Sequence, residues 1–152
     1  MKFTVTDWIE HGNIAPLNWG DDSGEIEKLF PSSINEIEKL RQRNYPFIIL
    51  DFVEFYFADD ENYKGLTEIV IKAVSLSKTS KTKFINSGWL TNAMTRLDVS
   101  LRLTELGIDW IIEFGPNFGA PNIRTKSNIL FAFDSVEAEP DKAELMKIYL
   151  TK

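Results

Sequence analysis

From Phe47 to Phe57 the chain reads Phe-Ile-Ile-Leu-Asp-Phe-Val-Glu-Phe-Tyr-Phe, an apolar run broken only by Asp51 and Glu54. β-branched and aromatic side chains favour extended backbone, and a run that is apolar on both faces needs cover on both. The segment therefore predicts a central strand, bent near Asp51, in a covered sheet. Ala58 to Gly65 is a polar turn, and Leu66 to Leu76 reads as the next strand. There Glu68 and Lys72 share one face, while Ile69, Ile71 and Ala73 share the other. The short connection predicts an antiparallel hairpin.

Helices precede this hairpin. Asp21, Asp22 and Ser23 are all residues that cap a helix, and Ile26, Leu29 and Phe30 recur on one face before Pro31 ends the segment. A second helical stretch spans about Ser33 to Gln42, with Ile34, Ile37 and Leu40 one turn apart. The spacing predicts a longer helix over about 88–106. Leu90, Ala93, Met94, Leu97 and Leu101 form its apolar stripe, and Gly107 stands at the left-handed C-terminal position. Trp89, Leu90, Met94, Leu97 and Leu101 are then expected to pack on Phe55, Phe57, Ile69 and Ile71.

The remainder is strand-rich. Strands are expected at 108–114, at 122–126 against its edge, at 128–134 and at 144–150, although the last pattern also permits a helix. Gly115 to Pro121 is a turn. An internal echo supports strands at the end. Phe55-x-Phe57, an acidic turn and Leu66-x-x-Ile69 match Phe131-x-Phe133, an acidic turn and Leu145-x-x-Ile148. The fold class is thus α+β: one domain over 1–152, with an antiparallel sheet of five to six strands packed against two or three helices.

A chain of 152 residues buries roughly 70% of its extended-chain surface and needs no covalent staple. It has no cysteine, which excludes disulfides, thiolate metal sites and a cysteine nucleophile. No secretory leader and no membrane-length apolar run is visible, so the expected compartment is the cytoplasm. The net charge of −6 disfavours direct contact with nucleic acid and suits a basic protein partner.

Signals for catalysis are sparse. The only histidine, His11, lies beside Gly12 in an expected loop. The nucleophile-elbow and phosphate-loop motifs are missing. Asp59-Asp60-Glu61-Asn62 lacks the EF-hand register, and Lys78, Lys81 and Lys83 lack the interleaved aromatics of a nucleic-acid platform. No catalytic residue, cofactor or metal is assigned. The competing reading is a small carboxylate-dependent hydrolase or metal-dependent enzyme using Asp51, Glu54 or Glu68, since Glu54 and Glu68 could approach across the hairpin.

The acidic turns carry the binding expectation. Asp59, Asp60, Glu61 and Tyr63 stand at the end of the first hairpin, and Glu137, Glu139 and Asp141, with Asp134, at the second. If the hairpins lie side by side, these charges form one recognition surface that speeds encounter with a basic protein. Tyr56 and Tyr63 would supply its aromatic anchors.

Four segments carry a family resemblance: Leu17-Asn18-Trp19-Gly20-Asp21-Asp22-Ser23-Gly24-Glu25-Ile26-Glu27-Lys28-Leu29-Phe30-Pro31, the strand Leu50 to Phe57, Leu66 to Ile71, and Leu103 to Trp110. Together they resemble the small immunity proteins that protect bacteria from polymorphic or contact-dependent growth inhibition toxins. The chain departs from that pattern at Phe30, where a glycine is expected, and at Asp21-Asp22 after Trp-Gly. The resemblance implies a cytoplasmic inhibitor that binds a cognate protein toxin domain stoichiometrically and catalyses nothing. An acidic protein of this kind would suit a basic nuclease toxin, whose phosphate substrate it would imitate.

Overall fold

A computed structural model describes residues 3–76, 82–114, 121–134 and 139–152. The chain is α+β. Its described elements are β1 (Phe3–Thr4), α1 (Thr6–His11), α2 (Ser23–Leu29), α3 (Ile34–Gln42), β2 (Phe47–Leu50), β3 (Val53–Asp59), β4 (Lys64–Ile71), β5 (Ile85–Asn86), α4 (Arg96–Glu105), β6 (Trp110–Glu113), β7 (Asn122–Thr125), β8 (Leu130–Phe133) and β9 (Leu145–Thr151). Short 3-10 turns occur at Pro31–Ser33, Ala73–Ser75 and Pro140–Lys142. Seven strands form one antiparallel sheet in the order β2-β3-β4-β9-β8-β7-β6, and β1 pairs with β5 in parallel.

The sheet exceeds the expected five to six strands because the 47–57 run reverses instead of bending. Leu50 pairs with Val53, leaving Asp51 and Phe52 as a two-residue turn. Asp51 adopts φ 54°, a left-handed conformation that Asp tolerates better than most residues. Its carboxylate accepts from the backbone N–H groups of Lys83, Phe84 and Ile85 at 2.9, 2.7 and 2.7 Å. A local turn is thereby bound to β5, more than thirty residues away.

Among the described residues there are four helices rather than two or three, because His11 ends α1 instead of lying in a loop. Gly12 (φ 68°) closes that helix. The expected 88–106 helix begins only at Arg96. Thr95 caps it through a reciprocal capping box with Asp98, and Ala93 has φ 61°, which a helix cannot include. The buried face is correspondingly Val99 and Leu103, while Leu97 and Leu101 are exposed. The expected packing of Leu97 and Leu101 on the sheet is therefore corrected. At the other end Gly107 (φ 71°) does terminate α4, with Ile108 N–H donating to the Leu103 carbonyl.

One sheet face is the core. Ile48, Leu50, Val53, Phe55, Leu66, Ile69, Ile71, Ile123, Phe131, Ile148 and Leu150 are buried with Trp8, Ile26, Ile37, Val99 and Leu103 from the helices. Trp8 meets Phe55 edge-on at 6.2 Å between centroids. The opposite face carries Tyr56, Glu68, Lys72, Lys147 and Tyr149, all partly exposed.

The echo of the two hairpins has a structural meaning. Phe55 and Phe57 pair with Ile69 and Leu66, and Phe131 and Phe133 pair with Ile148 and Leu145. Two phenylalanines at spacing two share a face. Leu and Ile at spacing three share it only if one residue bulges, and both ladders shift register at that point. The hairpins meet at the antiparallel β4–β9 pair. The segment at 144–150 is a strand.

Candidate functional site

The sequence-predicted acids do not form one cluster. In the antiparallel β4–β9 pair, Glu68 stands opposite Thr151 and Ile71 opposite Ile148. The turn before β4 and the turn before β9 therefore leave the sheet at opposite ends. Along the strands they are separated by about ten residues, or roughly 33 Å at ~3.3 Å per residue. Of the second group, Asp141 is paired with Arg96 at 2.9 Å and Glu139 with Lys142 at 3.0 Å. Glu137 lies outside the described residues. The expectation of one shared surface is corrected: neighbouring antiparallel hairpins turn in opposite directions.

The end that holds Asp59, Asp60, Glu61 and Tyr63 gains other members instead. Asp60 N–H donates to the Tyr63 carbonyl, and the Asp60 carboxylate accepts from the N–H groups of Asn62 (2.8 Å) and Tyr63 (2.7 Å). This is an Asp-closed turn, and it holds the 54% exposed Tyr63 at the tip. Lys152 Nζ lies 6.0 Å from the Tyr63 ring centroid. Beside the turn, Gly20 N–H donates to the Leu66 carbonyl and Leu66 N–H to the Asp21 carbonyl. Gly65 (φ 74°) is pressed so closely against Gly20 that a Cβ would overlap its carbonyl. This contact delivers Asp21 and Asp22 to the hairpin end. Their carboxylates accept from Asn18 N–H (2.7 Å) and Gly24 N–H (2.9 Å), so their positions are fixed. Asp21, Asp22, Asp59, Asp60 and Glu61 thus share one end with Lys64 and Lys152.

Next to these acids a groove of about 460 Å³ opens between α3 and the edge strand β2. Ile37, Leu40, Tyr45, Phe47 and Phe57 supply apolar walls, while Asp22, Asp59, Arg41 and Lys64 stand among its lining. Arg41 is engaged by Glu38 (2.6 Å), Glu27 (2.8 Å) and Ser23 Oγ (2.8 Å). The Glu38 bond, followed by the Glu27 charge, holds its proton more tightly than usual. On the outer side Tyr45, Phe47 and Tyr56 form a ladder of rings, with centroids 5.7 and 4.9 Å apart. The sequence reading missed Asp21, Asp22, Tyr45 and Phe47 as site residues. The first two read as helix caps, Phe47 as strand and Tyr45 as part of no element; only a signal that Gly20 and Gly65 meet would have joined the two aspartates to the site.

The carboxylates of the competing enzyme reading are distributed differently. Asp51 is committed to the three amides of the β5 segment. Glu54 is buried and accepts from the Tyr56 hydroxyl at 2.7 Å, with Lys72 Nζ 3.7 Å away. Glu68 stands opposite Tyr56 across the hairpin. Burial first, and then the Glu54 hydrogen bond, pushes the Tyr56 phenol up to about 12. Tyr56 therefore lies between the two glutamates that were expected to approach each other. Among the described residues no group of three or more His, Asp or Glu side chains is arranged to hold a metal ion, and no helix is long and apolar enough to cross a membrane. Comparison with protein-family models, curated proteins and solved structures finds no match for the chain.

Proposed function

We propose that this chain is a cytoplasmic immunity-type protein that neutralises a cognate toxin domain by stoichiometric contact, without catalysis of its own. The supporting observation is the meeting of five carboxylates and an exposed tyrosine with an aromatic groove at one end of the sheet. Acids clustered on a rigid scaffold accelerate encounter with a basic surface and reject an acidic one. Aromatic walls in a groove supply the apolar contact area that charges alone do not. A basic nuclease toxin fits this surface, because the carboxylates would occupy the place of substrate phosphates.

The test takes a cytotoxic domain recovered in equal amount by affinity capture on this chain from its native cell and titrates it calorimetrically at several salt concentrations. Asp59 and Glu61 are the side chains to neutralise, because neither closes the turn as Asp60 does. Asp59→Asn with Glu61→Gln is expected to weaken binding by about tenfold or more and to flatten its salt dependence; Tyr63→Ala is expected to raise the off-rate. Unchanged affinity and unchanged salt slope in both variants would show that another surface binds, or that the proposal is wrong.

A further inference from the structure

The groove lies against a strand edge that the sheet itself leaves unpaired. Among the described residues β2 pairs on one side only, with β3. Asp51 and Phe52 form a two-residue turn, so Leu50 and Val53 exchange both of their backbone hydrogen bonds. By alternation Ile48 bonds Phe55 in the same way. Phe47 and Ile49 stand in non-hydrogen-bonded pairs with Tyr56 and Glu54, and direct their N–H and C=O groups away from the sheet. Among the described residues those outward groups meet no backbone partner from another segment.

The free edge is short. β2 has four residues, is preceded by Pro46, whose nitrogen carries no hydrogen, and ends at the Asp51 turn. Shortness and a proline guard an edge against a second sheet, and α3 stands across the groove of about 460 Å³. One short segment fits where a whole sheet does not. The walls decide its chemistry. Residues opposite one another across paired strands point to the same face. Ile48 is buried on the core side and lines the groove with Ile37, Leu40 and Phe57. A residue added opposite Ile48 therefore enters apolar space. A residue two positions along, opposite Pro46, points the same way at the end that holds Asp22 and Asp59. Arg41 is already bound by Glu38 and Glu27. Lys64 remains against Asp22, Asp59 and the adjoining Asp60 and Glu61, so this end is negative.

We infer that the occupant of the groove is an extended basic segment that adds to the sheet as a strand on β2, with an aliphatic side chain opposite Ile48 and an arginine or lysine opposite Pro46. Phe47 and Ile49 then each exchange N–H and C=O bonds with it. In this mode the main-chain bonds supply affinity, and the groove selects alternate side chains. A second copy of the chain, at net charge −6, brings the wrong sign to this end. That the segment belongs to a toxin rests on the function proposed above; the strand addition does not.

The probe is the blocked peptide acetyl-Arg-Thr-Val-Thr-Arg-amide, whose pattern reads alike in both strand directions. Bound to the full chain at saturation, it is expected to slow exchange of the Phe47 and Ile49 amides by about tenfold or more. The same peptide with glutamate for both arginines should bind at least about tenfold more weakly. Ile49→Pro removes one outward N–H and no bond within the sheet, and should weaken the arginine peptide by about tenfold. Should that variant fail to fold, the wild-type amides decide. No binding, binding that leaves both amides exposed, or equal affinity for the two peptides overturns the inference. The same amides are then followed in the complex with the captured cytotoxic domain, where protection is expected. A stoichiometric complex with both amides unprotected overturns the strand addition and leaves the toxin reading standing. An edge that takes the peptide in a chain that binds no cytotoxic domain supports the strand addition and overturns the toxin reading.

Discussion

Replacing Asp51 by alanine should be among the most damaging single changes outside the core. The carboxylate takes three backbone N–H groups, two of them from the buried residues Phe84 and Ile85. A hydrogen bond to a charged group contributes about 1.5–3 kcal/mol, and a buried donor left without its acceptor adds the cost of its lost hydration. The Lys83 bond is exposed and counts least. Alanine also adopts φ near 54° less readily than Asp, at about 1 kcal/mol. The expected loss is about 4 kcal/mol. With a urea slope near ~2 kcal/mol/M this lowers the unfolding midpoint by about 2 M, and it lowers Tm by roughly 8–16 °C. Asp51→Gly separates the two causes, since it removes the acceptors but relieves the backbone; it should recover about 1 kcal/mol relative to alanine. Asp51→Asn, which keeps one acceptor and the left-handed preference, should fall about midway. A loss below about 1 kcal/mol in Asp51→Ala, or an Asn variant as stable as wild type, would refute the view that this carboxylate ties the β2–β3 turn to β5.

Gly65→Ala should destabilise by about 3 kcal/mol or more, because its Cβ meets the Gly20 carbonyl at a positive φ, whereas Gly107→Ala, with the same φ sign and open space, should cost only about 1 kcal/mol; paired denaturant melts check the contrast. Thr95→Ala breaks the capping box of α4 and should cost about 1 kcal/mol by the same assay. Tyr56 should ionise near 12, above the ordinary tyrosine range, when phenolate absorbance is followed against pH. Its folded-state value is raised, so its contribution to stability is complete below pH ~10 and is lost as pH rises towards ~12. Glu54→Gln should bring that titration down, and an unmoved Tyr56 would refute the assigned hydrogen bond.

Much of the architecture was legible because local chemistry and tertiary packing agree. Asp22, Ile26 and Pro31 mark α2, and Gly107 ends α4, where capping and periodicity place them. The F-x-F and L-x-x-I spacings recur in both hairpins and reappear as paired, bulged ladders. Two readings failed where periodicity had more than one solution. The stripe through Leu97 and Leu101 is a sound helical face, but Val99 and Leu103 make an equally regular one, and the sheet takes the second. The Phe47–Phe57 run shows no glycine or proline at its turn, so the reversal depends on what Asp51 can hold from outside the hairpin.

Residue type and spacing by themselves marked α2, α3, the C-terminal end of α4 and most of the strands, and showed that the two hairpins share one design. Only the tertiary structure decided which acids stand together. Antiparallel pairing of β4 with β9 sends the two acidic turns to opposite ends, and the contact of Gly20 with Gly65 brings Asp21 and Asp22 to one of them. Among the described residues, strand order also puts β6 at the end of the sheet. Those outcomes rest on contacts between residues far apart in the chain, and no local preference encodes them.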